Sequence, residues 1–251
     1  EFRRVLFRSS QRPLRSTVGK PWYSYYVLKT NGIFQSQEEI NNYKWTDPNT
    51  GLTNLIQPNA KPGDLRYVDF NNDGKINSDD NQYMGSYMPK ITFGFGGNLN
   101  YKNLDFSFQF QGVGKSTIYN AFKQMTLTGR QQGGNMLKDI LNAWDYNHTS
   151  GIPRLALVDD PNGNYTNPSD FYLEDGSYLR LKNLTLGYTL PQQWLNALGL
   201  KKSTLRLYFN CENLFTITDY TGIDPEVGNF GLDGGVYPVA RSFTIGFNFG
   251  F

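Results

Sequence analysis

The sequence is short of the residue types that build several common kinds of functional site. Its 251 residues include one cysteine and one histidine, too few for an internal disulfide or for a Cys/His zinc site. The formal net charge of +2 is too small to indicate a nucleic-acid-binding surface. No apolar run reaches the length of a transmembrane helix, and no secretory signal is visible at the N-terminus.

Aromatic residues and glycine are abundant instead. The chain has 18 phenylalanines, 17 tyrosines and 26 glycines, and its mean hydropathy is −0.54. A low mean hydropathy is compatible with a membrane β-barrel, because each strand turns only half of its residues toward lipid.

The last residues of the chain, 243–251, show the clearest pattern. Every second position is large and apolar: Phe243, Ile245, Phe247, Phe249 and Phe251. Successive side chains of a strand point to opposite faces, so this segment has one apolar face and one small, polar face. Lipid on one side and water on the other require this pattern, whereas an exposed strand of this kind on a soluble sheet favours aggregation.

Four further segments predict strands of similar length and alternation: 91–101, 104–113, 177–190 and 204–213. Tilted strands of about ten residues suit a bilayer core. In the third segment, Leu179 and Leu181 are out of phase with the later apolar positions, which predicts a bulge near 182–183. Cys211 shares the apolar face of the fourth segment and is interpreted as a packing residue, not a nucleophile.

Charged and amide side chains fall on the polar faces of these strands. Asp105, Gln109, Arg206 and Glu212 would be costly to bury in a tightly packed interior. They predict either a polar network against a missing plug or a solvated lumen wall, and the pattern does not choose between the two.

The connections between these strands alternate in length. Segments 101–103 and 191–202 are short, and segments 114–177 and 216–238 are long. Since bacterial barrels have short periplasmic turns and long extracellular loops, we expect the long connections outside the cell. The predicted fold class is all-β, with the strands belonging to the C-terminal part of a large antiparallel transmembrane β-barrel. Five long strands cannot close such a barrel, so we expect this chain to be part of a larger one.

We divide the chain into three regions: residues 1–9, an extracellular loop region at 10–90, and barrel strands at 91–251. The first region, E-F-R-R-V-L-F-R-S, back-translates into DNA that resembles the end of a widely used sequencing adapter. It is interpreted as an assembly artefact joined to a truncated gene. In the second region, Asn31-Gly32 predicts a hairpin turn between short strands at 22–28 and 32–35, and 37–43 predicts a short helix.

Within that second region, residues 69–80 read D-F-N-N-D-G-K-I-N-S-D-D and resemble an isolated calcium loop. Side-chain oxygens occupy positions one, three, five, nine and twelve, position seven offers a backbone carbonyl, and Gly74 falls at the sharp turn of position six. The predicted ligands are Asp69, Asn71, Asp73, Lys75, Asn77 and Asp80, and the expected ion is Ca²⁺. The alternative interpretation is an Asn/Asp/Gly turn cluster without metal.

Several segments together resemble one family. They are G-K-P-W-Y-S-Y-Y, N-G-I-F-Q-S-Q-E-E-I, P-G-D-L-R-Y-V-D-F-N-N-D-G-K-I-N-S-D-D, M-P-K-I-T-F-G-F, F-Q-F-Q-G-V-G, D-G-S-Y-L-R-L-K-N-L-T-L-G-Y-T-L-P, L-R-L-Y-F-N-C-E-N-L-F-T, D-Y-T-G-I-D-P-E and the terminal Y-P-V-A-R-S-F-T-I-G-F-N-F-G-F. From about Gly19 onward, the chain resembles the C-terminal part of the SusC/RagA family of TonB-linked outer-membrane transporters of Bacteroidetes.

The resemblance implies a barrel of about 22 strands with an N-terminal plug and a TonB-contacting segment, both absent from this sequence. It implies a SusD-like lipoprotein as lid, the TonB complex and outer-membrane lipid as further partners, and energised uptake of oligosaccharides or peptides. The terminal Phe251 resembles the signal that the outer-membrane assembly machinery recognises in such proteins. No catalytic residue and no nucleic-acid partner are implied.

Two other function classes are weighed against this one. The calcium-like loop is also typical of an extracellular calcium-binding β adhesin or a dockerin-like interaction module. An outer-membrane barrel enzyme would need a nucleophile and a base, but the single histidine, His148, lies in a long connection without a recognisable partner and is interpreted as a surface residue.

Overall fold

The structure, a computed structural model, describes residues 13–128, 134–156 and 159–251. The adapter interpretation of residues 1–9 lies outside these residues. The described chain is mostly strand with a few short helices, so the predicted all-β class is confirmed. No described helix combines the length and the apolar character needed to cross a bilayer.

The strands are β1 (Leu14–Arg15), β2 (Ser24–Val27), β3 (Thr30–Ile33), β4 (Lys44–Thr46), β5 (Thr53–Leu55), β6 (Leu65–Tyr67), β7 (Gln82–Ser86), β8 (Ile91–Tyr101), β9 (Leu104–Gly114), β10 (Thr117–Asn120), β11 (Leu173–Asp175), β12 (Tyr178–Thr189), β13 (Thr204–Glu212), β14 (Thr216–Thr218), β15 (Leu232–Asp233) and β16 (Ser242–Gly250). The α-helices are α1 (Gln37–Asn42), α2 (Ala121–Thr126) and α3 (Gln192–Ala197). Short 3₁₀ helices occupy Ser78–Asp80, Lys138–Asn142, Asp170–Tyr172 and Asn229–Gly231.

The chain folds into two compact units. The first unit contains the described residues up to Met88 together with Thr117–Glu174 and Val227–Gly235. The second unit contains Pro89–Ser116, Asp175–Glu226 and Val236–Phe251.

The second unit is built on one antiparallel sheet. Its strand order is β16-β13-β12-β9-β8, and β14 pairs with the far end of β12. Each of the five predicted strands is present within one to two residues of its expected bounds. An antiparallel strand rises about 3.4 Å per residue, so the eleven residues of β8 reach about 37 Å, enough to cross a bilayer core when tilted.

The predicted bulge lies where expected, between Leu181 and Asn183. Leu181 pairs with Phe110 and Leu184 pairs with Phe108, so β12 uses one residue more than β9 over this stretch. Because of the extra residue, Leu179 and Leu181 point to the same face as Leu184, although their spacing in the sequence would put them on opposite faces of a regular strand.

The first unit is held by several small sheets and a tyrosine-rich core. The sheets are β1-β2-β7, β11-β10-β15, β3-β6 and β4-β5. Tyr25, Tyr119, Tyr165 and Tyr172 are buried in one apolar cluster, and burial raises the pKa of each of their hydroxyls well above the ordinary value. Each hydroxyl is paired; that of Tyr25, for example, donates to the carbonyl of Gly231 at 2.8 Å.

The hairpin predicted at Asn31-Gly32 is wrong. Both residues lie inside β3, which pairs with β6, while β2 pairs with β1 and β7. Gly32 has φ +78° at a register irregularity between Thr30 and Ile33, so the glycine serves a bulge instead of a turn. The helix predicted at 37–43 is confirmed as α1, whose N-cap Ser36 accepts from the backbone N–H of Glu39 at 3.2 Å.

A buried polar network ties two loops of the first unit together. The side chain of Asn164 accepts from the backbone N–H of Leu65 at 2.9 Å and donates to Asp64 at 2.7 Å. Gln57 accepts from the N–H of Tyr67 and donates to the carbonyl of Leu65. Side-chain amides thus take the place of a neighbouring strand beside β6, and buried polar groups of this stretch are satisfied without one.

Candidate functional site

The candidate site is the five-stranded body of the sheet, whose strands bring their apolar residues to one common face. Across the sheet, Phe95 pairs with Phe110, Phe106 with Leu186, Leu186 with Phe209, and Phe209 with Ile245. A slip of one residue in any pair would put that strand's apolar residues on the opposite face. The alternation seen in each strand therefore becomes one continuous apolar surface.

This apolar surface is not covered by other described residues. On β16 the exposed fractions are 61% for Phe243, 84% for Ile245 and 69% for Phe247. These side chains do not fill a closed core between two sheets. Large contiguous apolar surfaces of this kind mark contact with a membrane or with another protein.

Cys211 lies on the same face but is 2% exposed, opposite Leu184 and Phe243. Its burial among apolar neighbours agrees with the interpretation as a packing residue.

The opposite face of the sheet is polar and carries an ion pair that crosses a strand. The guanidinium of Arg206 on β13 donates to the carboxylate of Asp105 on β9, with Nε–Oδ1 2.9 Å. Gly187 of β12 lies between them, and a Cβ there would collide with both groups. A residue without a side chain at position 187 is therefore what allows the two charges to meet over the intervening strand.

Two further contacts continue across the polar face. The ring of Tyr208 lies over Gly246 of β16, and the guanidinium of Arg206 lies 5.3 Å from the centre of that ring. The hydroxyl of Thr185 donates to the side chain of Asn210 at 2.8 Å.

Among the described residues, the four predicted polar residues do not form one network with each other. Asp105 pairs with Arg206, whereas Glu212 accepts from the hydroxyl of Ser242 at 3.0 Å. Gln109 occupies a register position between Gly96 and Asn183. A network against a plug and a solvated lumen wall both stay predictions.

Sequence reasoning missed a second charged cluster, around Arg180. This side chain is 2% exposed and donates to Thr216, Glu226 and Asp224 at 2.6–2.7 Å. Asp224 and Glu226 belong to the connection after β14, so Arg180 fastens that connection to β12. The bulge places Arg180 on the polar face. The alternation of apolar and polar residues in the sequence does not by itself predict this placement.

Asp224 is held as a carboxylate. Partial burial pushes its pKa upward, but hydrogen bonds from the backbone N–H groups of Glu226 and Val239 and from Arg180 outweigh this, so the pKa lies below its ordinary value. The connection is therefore held by an ionised Asp224.

The loop at 69–80 forms the sharp turn of a calcium loop, with Gly74 at φ +80° and its N–H donating to Asp69 Oδ2 at 2.7 Å. Asp73 accepts from the N–H of Lys75 and from the side-chain amides of Asn71 and Asn77. Asp80 is buried, and its two oxygens accept from backbone N–H groups of the same loop.

In this conformation the carboxylates of the loop are engaged by their own backbone. Among residues 13–128, 134–156 and 159–251, no group of three or more His, Cys, Asp or Glu side chains is arranged to hold a metal ion. The geometry describes an Asx-rich turn, and calcium binding by Asp69, Asn71, Asp73, Lys75, Asn77 and Asp80 stays a prediction.

Comparison with known proteins decides the family. No family model matches the chain. It is 36% identical over 247 residues to TonB-dependent receptor P26 of Formosa agariphila, covering 93% of this chain and 23% of that protein. It is 31% identical over 197 residues to TonB-dependent receptor SusC of Bacteroides thetaiotaomicron, covering 78% of this chain and 18% of that protein. The chain belongs to the SusC/RagA family.

Solved structures agree with this family. The RagAB peptide transporter matches with a TM-score of 0.65 and 26% identity, over 94% of this chain and 23% of that one. The RagAB peptide importer in the closed-closed state matches with a TM-score of 0.65 and 27% identity, over 94% and 24%. The SusC/RagA chain described here thus spans about a quarter or less of the proteins that it matches, and its strands are part of a large barrel.

The first prediction concerns the two faces of β16. Replacing Phe247 with Arg places a charge on the apolar face, and we expect it to lower the stability of the membrane-inserted protein by about 2–4 kcal/mol. Asn248→Arg, on the polar face, should cost much less. An arginine at position 248 would lie opposite Arg206 and repel it. Thr244→Arg lies opposite Asn210 and is therefore a second control without this charge repulsion.

The measurement is folding of the full-length receptor into liposomes, followed by denaturant titration. Equal losses for Phe247→Arg and Thr244→Arg would contradict the assignment of the faces.

The second prediction concerns pH. The pKa of Asp224 is lower in the folded state than in the unfolded state, where it is about 3.9. The carboxylate therefore stabilises the fold above the unfolded-state pKa, and this stabilisation is lost as the pH falls through the lower folded-state pKa. Hydrogen exchange of the 219–226 amides, corrected for intrinsic rates, should show protection at pH 5 that declines below about pH 4. In Asp224→Asn this decline should be absent. An unchanged decline in that variant would assign the pH dependence to another group.

Proposed function

We propose that this chain forms part of the wall of an outer-membrane β-barrel transporter, and that it acts in transport and not in catalysis. The observation that carries the proposal is the sheet with one exposed apolar face and one polar face bearing the Asp105–Arg206 pair. Lipid against the first face and a water-filled lumen against the second satisfy both. The TonB-dependent receptors among the relatives support the same conclusion.

We further propose that the whole protein imports oligosaccharides or peptides together with a SusD-like lipoprotein, driven by the TonB complex. The solved RagAB structures, described as a peptide transporter and importer, support peptides as cargo. The similarity to SusC supports the same kind of receptor. Neither the adhesin nor the dockerin-like alternative is represented among these relatives.

The third prediction tests transport with the complete gene. Deleting it should abolish growth on one class of oligosaccharide or peptide as sole nutrient, and a plasmid copy should restore growth. Uptake of the labelled nutrient should stop when the proton gradient is dissipated, while binding to the cells persists. The lipoprotein should co-purify with the receptor in detergent. Uptake that survives both the deletion and loss of the gradient would contradict the proposal.

We also propose that the loop at 69–80 binds Ca²⁺ by turning Asp69 and Asp73 from backbone N–H groups toward the ion. The turn at Gly74 supports this, because it is the one a calcium loop requires.

As the fourth prediction, calorimetric titration of the detergent-purified receptor should show saturable heat with Ca²⁺, weakened about tenfold or more in Asp73→Asn because one charged ligand is lost. Asp47→Asn, in another exposed Asx turn, is the matched control and should change nothing. A flat titration of the unaltered receptor would remove the proposal.

A further inference from the structure

A groove of about 580 Å³ lies in the first unit. Its lining includes Lys61, Ile140, Leu141, Trp144, Tyr146 and Arg154. Sites for small ligands typically have about 300–1,000 Å³ and are mostly apolar with a few placed polar groups. The groove has this size and this composition.

The floor of the groove is fixed before any ligand arrives. The indole of Trp144 is 5% exposed, and its Nε1–H donates to Oε1 of Gln35 at 2.8 Å. The ring lies so close to Gly63 that a Cβ there would collide with it, and Gly63 has φ +90°. A glycine is required at this position on both counts, and the indole is held in one orientation.

The rim carries two large apolar side chains that are almost fully exposed. Leu141 is 76% exposed and Tyr146 is 82% exposed. The ring of Tyr146 also contacts the ring of Trp144 edge-on, with 5.1 Å between the ring centres. Tyr146 lies in a tight turn closed by backbone hydrogen bonds between Asp145 and His148. The position of its backbone is therefore set, and little ordering is needed when a ligand covers it.

Of the two cations that line the groove, one is paired and one is not. Arg154 is paired with the buried Asp64, with Nε–Oδ1 2.6 Å. The carboxylate of Asp145 keeps its charge but is directed to the backbone N–H groups of Asn147 and His148, from which it accepts hydrogen bonds. Lys61 is exposed and makes no ion pair within the described residues. The groove thus offers apolar contact with an ammonium group at its edge.

We propose that this groove binds the end of an oligopeptide, with an apolar side chain against Leu141 and Tyr146 and a carboxylate at Lys61. Beside Ile140 and Leu141 an apolar peptide side chain fits better than a sugar, because these two residues present no partners for hydroxyl groups. Binding is a property of the groove itself, and only its role as a cargo contact depends on the proposed transport function.

The test uses the full-length receptor in detergent and a fluorescent peptide ending in leucine with a free carboxylate. Fluorescence anisotropy should show binding that Tyr146→Ala weakens about tenfold, because apolar contact is lost. Lys61→Gln should weaken it about two- to fivefold, as for an exposed ion pair. For the same peptide with an amidated C-terminus, Lys61→Gln should have no effect. Tyr237→Ala and Lys29→Gln, at exposed sites outside the groove, are matched controls.

Equal weakening by Tyr146→Ala and Tyr237→Ala, or binding of a neutral oligosaccharide that is lost in Tyr146→Ala, would overturn the inference. Absence of peptide binding in a receptor that still transports would overturn it and leave the proposed function intact. Groove-dependent binding in a receptor that transports nothing would support the inference and contradict the function.

Discussion

Everything inferred about the second unit depends on the pairing register of its sheet. Each strand alone only alternates between apolar and polar residues, and alternation does not say which strands share a face. The hydrogen-bonded pairs from β8 to β16 place phenylalanine, leucine and isoleucine opposite one another on one side, while Asp105, Arg206 and Asn210 are on the other. The surface that would contact lipid is thus a property of the assembled sheet.

The same register explains several glycines that a strand would otherwise avoid. Gly187 leaves room for an ion pair between its two neighbouring strands, and Gly246 leaves room for the ring of Tyr208. On the apolar side, the ring of Phe108 similarly lies against Gly97. In each case a long side chain covers the backbone that the glycine exposes, so the sheet loses little packing.

The sequence was sufficient for the long strands because their period of two is strong and uninterrupted. The phase break at Leu179 and Leu181 was enough to predict the bulge as well. The small strands of the first unit were harder, since their partners are distant in the chain: Asn31-Gly32 has the letters of a hairpin, but β3 pairs with β6. The Arg180 cluster and the groove around Trp144 could not be predicted, because both join segments that only the folded chain brings together. For the loop at 69–80, the spacing of the residues predicts calcium binding, but the structure neither arranges the ligands around an ion nor tests the prediction.

The extra residue at Lys182 separates β12 into two stretches, and β9 pairs with both of them across the bulge. After Lys182, residues 183–189 pair with β13, and before it, residues 178–180 pair with β14. Without the extra residue, the leucines of one stretch would face the polar side of the sheet. With it, one strand keeps its leucines on the apolar face along its length and still directs Arg180 to Asp224 and Glu226 of the connection.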